Sequence, residues 1–156
     1  MAVSKADFER RLTRFAETCR RSGLKVTHQR TEVFRELAAR EDHPGAEAVY
    51  QQVRRRVPAI SRDTVYRTLA LLEAQGLVRK ATVLVNQSRY DANMQPHHHF
   101  VCTVCGRVQD FSSAALDNLP LPRSVKSLGS VQSAQVQVRG VCTACAGETG
   151  KRKRAK

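Results

Sequence analysis

The chain has 156 residues, of which 41% are hydrophobic and only 5% aromatic, so its core must be built mainly from aliphatic side chains. Its apolar runs are a few residues long, far short of the ~20 that span a bilayer, and its N-terminus carries no secretory pattern. These features exclude an integral membrane protein and lead us to expect a cytoplasmic protein. Its formal net charge is +13.

The positive charge is concentrated in the first 90 and the last six residues. Residues 1–90 hold 18 Lys and Arg against 10 Asp and Glu, residues 91–150 hold four of each, and residues 151–156 add five cations. A basic N-terminal part beside a neutral C-terminal part indicates that one of them meets a polyanion, although a solvated basic surface would give the same pattern.

The helical spacing of apolar residues predicts four helices within the first 76 residues. Their ends are marked by capping or breaking residues, namely Ser4, Ser22-Gly23, Thr27, His43-Pro44, Pro58, Ser61 and Gly76. The β-branched stretches 77–85 and 89–90, separated by a turn at 86–88, predict a hairpin after the fourth helix. Helices followed by a basic hairpin predict a winged helix-turn-helix domain over residues 1–90.

The C-terminal part is predicted to be a second, α/β domain. The polar, turn-prone residues 91–96 mark its beginning, and it extends over 91–146. We predict strands at 97–101, 107–111, 124–128 and 131–141, with a short helix at 114–119. The basic tail 147–156 is expected to be disordered. The predicted fold class is therefore α+β.

The fourth helix is the predicted DNA-reading element. Four of its side chains lie away from the apolar stripe of Val65, Leu69 and Leu72, namely Arg62, Thr64, Tyr66 and Arg67. Such side chains contact base edges and phosphates in double-stranded DNA. A plain solvated face explains the same pattern, but the basic hairpin that follows, with Arg79, Lys80 and Arg89, favours DNA binding. The cations Arg54, Arg55 and Arg56 end the third helix, where they offset the helix dipole, and we interpret them as structural.

Four of the five cysteines form two Cys-x-x-Cys pairs, Cys102 with Cys105 and Cys142 with Cys145, separated by 36 residues. Four thiolates make a closed tetrahedral set that suits structural Zn(II) and leaves no position for a substrate. Two unligated dithiols or a rubredoxin-like iron site would have the same spacing, but the basic, DNA-like half argues against an electron carrier. Cys19 lies on the apolar stripe of the first helix and is predicted to pack in the core.

A second group of metal-binding side chains surrounds the run from His97 to His99. If this run is a strand, His97 and His99 point to one face and His98 to the other. Asp91, Asp110 and His43 could complete the site. Imidazoles with carboxylates form a harder site than four thiolates, better suited to Fe(II) or Mn(II) than to Zn(II), although the order of affinities alone favours zinc. A chance histidine cluster on a surface loop is the alternative.

Two other classes of protein use similar residues. A zinc deaminase pairs its ligands with a catalytic Glu in His-x-Glu, a motif that this sequence lacks, so we do not expect an enzyme. A zinc-ribbon protein that binds nucleic acid without sensing a metal remains open; its DNA affinity would not depend on added Fe(II) or Mn(II).

Eight stretches together resemble the ferric uptake regulator family. They are residues 25–30 (KVTHQR), 43–44 (HP), 48–50 (AVY), 64–69 (TVYRTL), 89–91 (RYD), 97–106 (HHHFVCTVCG), 110–111 (DF) and 140–142 (GVC). The resemblance covers about residues 8–146. It implies a winged helix joined to a C-terminal dimerisation domain, a homodimer on palindromic operator DNA, and metal-dependent closure. It also adds Arg30 to the expected DNA-binding residues.

Within that family the sequence is most similar to the peroxide-sensing repressors. Their regulatory metal positions are matched by His43, Asp91, His97, His99 and Asp110. The ferric and zinc uptake branches usually have Glu at one or both carboxylate positions and a further His, but residues 111–141 contain no His.

The resemblance implies that bound Fe(II) reacts with hydrogen peroxide, the only small molecule expected as a signal. This reaction would oxidise His43 or His97 and release the DNA. A ferric, manganese or zinc uptake regulator without peroxide sensing is the alternative. The sequence departs from the family in its longer basic tail, its shortened 120–128 segment and His98, for which the sequence indicates no role.

Overall fold

The computed structural model describes residues 3–81 and 88–147. It divides into two compact units, Met1–Met94 and Gln95–Lys156. Most of the predicted hairpin turn at 86–88 and all of the basic tail beyond residue 147 lie outside the described residues. In the described part of the chain, no helix combines the length and the apolar character needed to cross a membrane.

The first unit contains the four predicted helices. They are α1 (Lys5–Ser22), α2 (His28–Ala38), α3 (Ala46–Arg56) and α4 (Arg62–Ala74). Three of them begin at the predicted caps, because the side chains of Ser4, Thr27 and Ser61 each accept a backbone N–H three residues further on. These side chains satisfy donors that have no partner inside the helix, which fixes the start of each helix.

Aliphatic side chains from all four helices form the core of this unit. Val33, Val49, Val65 and Leu69 are completely buried. Phe15 of α1 stacks on Phe34 of α2 with ring centroids 4.7 Å apart. The prediction that Cys19 packs in the core is confirmed, since its side chain is 1% exposed within the same cluster.

A short antiparallel ribbon follows α4. β1 (Arg79–Ala81) pairs with β2 (Arg89–Asp91), so that Arg79 lies opposite Asp91. The ribbon begins two residues later than predicted, because the Leu77 and Val78 amides donate to the Leu72 carbonyl and both side chains are buried in the helical core. The predicted hairpin is thus confirmed for the two paired segments, residues 79–81 and 89–91.

The second unit contains a three-stranded sheet in the order β4-β3-β5. Its strands are β3 (His98–Cys102), β4 (Val108–Phe111) and β5 (Gln137–Gly140). β3 pairs with β4 antiparallel and with β5 parallel. The sheet therefore brings together two segments that are far apart in the sequence.

One strand prediction in this unit is wrong and another is confirmed only in part. The segment predicted as a strand at 124–128 begins with a short helix, α6 (Arg123–Lys126), which starts after Pro122 with the Val125 amide donating to the Pro122 carbonyl. Within the strand predicted at 131–141, only the part that pairs with β3, namely β5, forms. The predicted helix at 114–119 is confirmed in shortened form as α5 (Ala114–Asp117).

Replacing Leu69 by Ala removes a fully buried side chain from α4. We expect the free energy of unfolding to fall by about 2–5 kcal/mol, because the core cannot close completely over the cavity. Urea unfolding followed by far-UV circular dichroism measures this. Tyr66→Ala on the exposed face of the same helix is the control, with an expected change within about 0.5 kcal/mol. Equal effects of the two substitutions would contradict the assigned core.

Candidate metal centres and DNA-reading surface

The four paired cysteines come together at one end of the sheet. Cys102 ends β3 and lies opposite Gly140 of β5, so the turn after each strand carries one Cys-x-x-Cys pair to the same place. A Cβ on Gly140 would lie 3.1 Å from the Phe100 ring, so a larger residue there would require this ring to shift. All four sulfur atoms lie within 4.8 Å of one another, and none is in a disulfide.

The sulfur positions fit a tetrahedral Zn(II) site. Cys105 Sγ and Cys142 Sγ are 3.8 Å apart, which is about the edge length of a tetrahedron with Zn–S bonds of ~2.3 Å. Three of the four cysteines are buried and Cys105 is exposed. The cluster therefore matches a closed structural site.

Backbone amides prepare the cluster for negative charge. Amide groups at Cys105 and Cys142 donate to the Cys102 sulfur and lower the pKa of this thiol to about 6. Hydrogen bonds with Cys142 and Cys105 raise the pKa of Cys145 to about 12. Ionisation of Cys102 is thus favoured and that of Cys145 is opposed, and a bound divalent cation would favour the thiolate form of both.

His97, His99 and Asp110 form a buried cluster within the second unit. The two Nε2 atoms are 3.0 Å apart and lie 3.7 Å and 3.6 Å from Asp110 Oδ1. The pairing of β3 with β4 places His99 directly opposite Asp110. His97 Nδ1 donates to the Gln95 carbonyl at 2.7 Å, because a carbonyl can only accept. This bond leaves the lone pair of His97 on Nε2, the atom that faces the other two groups.

His43 and Asp91 form a corresponding pair within the first unit. His43 Nδ1 lies 3.9 Å from Asp91 Oδ1, and both side chains are buried. The Tyr90 amide donates to the Pro44 carbonyl and so joins β2 to the turn that carries His43. The Asn93 amide donates to Asp91 Oδ1 at 2.6 Å and fixes the carboxylate.

His43 is held in an unfavourable backbone conformation. Its φ of 47° is the only positive value at a non-glycine residue within 3–81 and 88–147. Such a conformation costs roughly 1 kcal/mol or more, so the surrounding packing must maintain it. The strain coincides with a buried imidazole predicted to bind a metal.

His98 lies on the opposite face of β3, as strand alternation predicts. Its Nδ1 accepts the Val136 amide at 3.2 Å and its Nε2 is 3.1 Å from Asp117 Oδ1. The ring thus connects β3 to α5 and to the segment before β5. The sequence indicated neither partner, because both depend on how the chain returns to the sheet.

The predicted DNA-reading residues of α4 are exposed on one surface. The side chains of Arg62 and Arg67 are 59% and 81% exposed, and Tyr66 is 50% exposed. A hollow of about 410 Å³ brings Arg30 of α2 beside Thr64 and Arg67. The two predicted residues of the ribbon are engaged elsewhere: Arg79 donates to the Asn93 carbonyl, and Lys80 pairs with Glu73.

Comparison with known proteins identifies the family. The model of the "Ferric uptake regulator family" matches residues 21–139, which is most of the chain.

The chain belongs to the ferric uptake regulator family.

The chain is also similar in sequence or in structure to members of this family from several bacteria. The peroxide-responsive repressor PerR of Staphylococcus epidermidis is 28% identical over 145 residues, 93% of this chain and 97% of that protein. The crystal structure of the Campylobacter jejuni peroxide stress regulator is 32% identical, with a TM-score of 0.64, covering 83% of this chain and 98% of that one. The ferric uptake regulator of Helicobacter pylori, 24% identical with a TM-score of 0.69, covers 89% and 93% and shares the fold.

As a member of the ferric uptake regulator family, the chain is a metal-dependent transcriptional repressor with the predicted α+β fold. Members of the family are dimeric DNA-binding regulators. The chain offers two kinds of metal donor: four thiolates that fit structural zinc, and imidazole and carboxylate groups that fit a harder regulatory ion such as Fe(II) or Mn(II).

Replacing Cys102 by Ser should abolish zinc retention. The wild-type chain is expected to keep one zinc through gel filtration, and Cys102→Ser none, because a hydroxyl does not replace a thiolate ligand. Zinc per chain is measured by elemental analysis. The control is Cys19→Ala, which removes a thiol in the other unit and should leave the zinc content unchanged. Zinc retained by Cys102→Ser would refute the assigned site.

Proposed function

We propose that this chain is a homodimeric repressor that binds a palindromic operator when Fe(II) or Mn(II) occupies its regulatory site. Hydrogen peroxide then releases the DNA by oxidising His43 or His97. The observation that carries the proposal is the division of the imidazole and carboxylate ligands between the two compact units. His43 and Asp91 belong to the first, and His97, His99 and Asp110 belong to the second.

Neither ligand group fills the coordination sphere of an octahedral ion by itself. The first unit supplies two donors and the second supplies three, and one such ion can take all five. An ion that uses both groups binds the closed arrangement of the protein more tightly than the open one. Binding of such an ion therefore favours the closed arrangement. If DNA also prefers this arrangement, the metal raises the affinity for DNA, and DNA raises the affinity for the metal by the same factor.

The first unit supports the DNA-binding part of the proposal. Arg62, Tyr66 and Arg67 are exposed on the last full helix before the ribbon, the position of a recognition helix in this type of domain. Arg30 and Thr64 line the adjoining hollow. In a two-fold symmetric dimer two such helices face half-sites of opposite orientation, which makes the preferred operator palindromic.

The second unit supports dimerisation. It carries most of the large hydrophobic side chains that the described residues expose, namely Val104, Leu119, Leu128, Val131, Val138 and Val141. Exposed apolar surface marks protein interaction sites, and we therefore assign dimerisation to this unit.

The peroxide response is supported by the similarity to a peroxide-responsive repressor and to a peroxide stress regulator, and by the ligand chemistry. Bound Fe(II) supplies the one-electron chemistry that activates peroxide beside the imidazoles. One oxygen atom of hydrogen peroxide is inserted into a ring C–H bond of His43 or His97, and the other leaves as water. The oxidised ring would be a poorer ligand, so His43 or His97 would no longer contribute to a site shared by the two units.

His43→Ala tests the metal-dependent step. We expect the Mn(II)-dependent gain in operator affinity to fall at least tenfold, because one unit loses its only imidazole ligand. Electrophoretic mobility shifts with and without Mn(II) measure this effect. His28→Ala is the matched control, since His28 is an exposed histidine of the same unit. A full metal response in the His43→Ala protein would reject the proposed clamp, while zinc content and dimer size should be unchanged.

Peroxide sensing is tested by loading the protein with Fe(II) or Mn(II) and adding low concentrations of hydrogen peroxide. We expect the Fe(II) form alone to gain one oxygen atom on His43 or His97 and to release the operator. Peptide mass spectrometry and mobility shifts measure the two events. Metal-dependent binding that survives peroxide, with no oxygen gained, would instead identify a metal uptake regulator.

A further inference from the structure

Arg62, the first residue of α4, is held by a carboxylate from another helix. Its Nε lies 3.1 Å from Glu47 Oε2, and its Nη2 donates to Glu47 Oε1 at 3.1 Å. These two nitrogens form the side edge of the guanidinium, so the contact is bidentate. Glu47 belongs to the first turn of α3.

Two further residues of α3 fix this arrangement. The Arg62 guanidinium carbon lies 4.7 Å from the centroid of the Tyr50 ring, whose side chain is buried. Gln51 Nε2 donates to Glu47 Oε1 at 2.7 Å. Glu47, Tyr50 and Gln51 are three and four residues apart and therefore share one face of the helix. Hydrogen bonds from Arg62 first, and then from Gln51, hold the pKa of Glu47 below its usual value.

The contact with Glu47 leaves the other edge of the guanidinium available. That edge consists of Nη1 and the second proton of Nη2, and within the described residues Nη1 donates to no protein acceptor. Its two donors match the O6 and N7 acceptors of guanine in the major groove. Because the ring and the carboxylate restrict the side chain, less conformational entropy is lost when it meets a base.

Arg67, the other predicted DNA-reading arginine of α4, is not held in this way by a residue of another helix in the part of the chain that the structure describes. Arg67 Nε lies 3.0 Å from Asp63 Oδ2 one turn earlier on the same helix, and its side chain is 81% exposed. No aromatic ring is found beside it among the described residues. Arg67 is therefore held by fewer contacts than Arg62, whose guanidinium is oriented by both a carboxylate and an aromatic ring.

We propose that Arg62 reads a guanine in each operator half-site and that Glu47, with Tyr50, is the positioning residue that makes this contact specific. The inference rests on the proposed DNA-binding function and adds the base and the residues that select it. If Glu47 and Arg62 formed only a surface ion pair, the effect of the Glu47 carboxylate on DNA binding would be to repel the phosphates. Neutralising the carboxylate would then tighten binding to all sequences, whereas loss of a positioning residue would weaken the preference for guanine.

The test is selection from a randomised DNA duplex library by the full-length protein loaded with Zn(II) and Mn(II). Wild-type protein should select a guanine at one position of each half-site. Glu47→Gln and Arg62→Lys should lower that preference by roughly tenfold, within the range of a bidentate arginine–guanine contact. Asp63→Asn is the matched control; it removes the carboxylate that pairs with Arg67 and should leave the guanine preference unchanged.

Three outcomes would overturn the inference. A Glu47→Gln protein that keeps its guanine preference and binds all sequences more tightly would show that Glu47 only repels phosphate. Unchanged base preferences in Arg62→Lys would show that Arg62 reads no base. A wild-type protein that selects no sequence would overturn the proposed function as well. The variants replace exposed groups, and their thermal unfolding should match that of the wild type within the small contribution of a surface ion pair.

Discussion

The parallel pairing of β3 with β5 organises the second unit. Parallel strands cannot be joined by a tight turn, so the chain must travel through β4 and two short helices before it returns. Closing such a long loop costs conformational entropy, and a four-residue strand offers few hydrogen bonds to offset it. Four thiolates around one zinc ion would supply the missing stabilisation at the end of both strands. The sheet brings the sulfurs together, and a bound zinc ion would in turn hold the ends of the two strands together.

The same strand positions the regulatory ligands. His97 and His99 lie on one side of β3 beside Asp110, while His98 connects the other side to α5. In the first unit, the ribbon and the strained turn at His43 hold a second ligand pair. Rigid elements thus fix each ligand group separately. In the proposed clamp, an ion that takes ligands from both groups would link the two units, and its binding energy would depend on how these two well-defined bodies are placed.

The sequence predicts the features that depend on local chemistry. Capping side chains located three helix starts, alternation placed His97 and His99 together, and the Cys-x-x-Cys spacing identified the thiolate cluster. Features that depend on packing were not predictable. The segment around Val125 is helical although it was predicted as a strand, because a single β-branched residue after a proline does not specify a strand. The contact of Glu47 with Arg62 joins residues 15 positions apart on different helices, and no periodicity indicates it.

The arrangement of β3 restricts how this protein can diverge. Six consecutive residues, from His97 to Cys102, contain two imidazoles of the proposed regulatory site, the histidine that contacts Asp117, and the first cysteine of the thiolate cluster. Inserting or deleting one residue within them would turn every later side chain to the other face of the sheet. Cys102 would then point away from Cys142, or the two imidazoles would separate. Related genes can therefore exchange amino acids within this segment, but its length must stay constant.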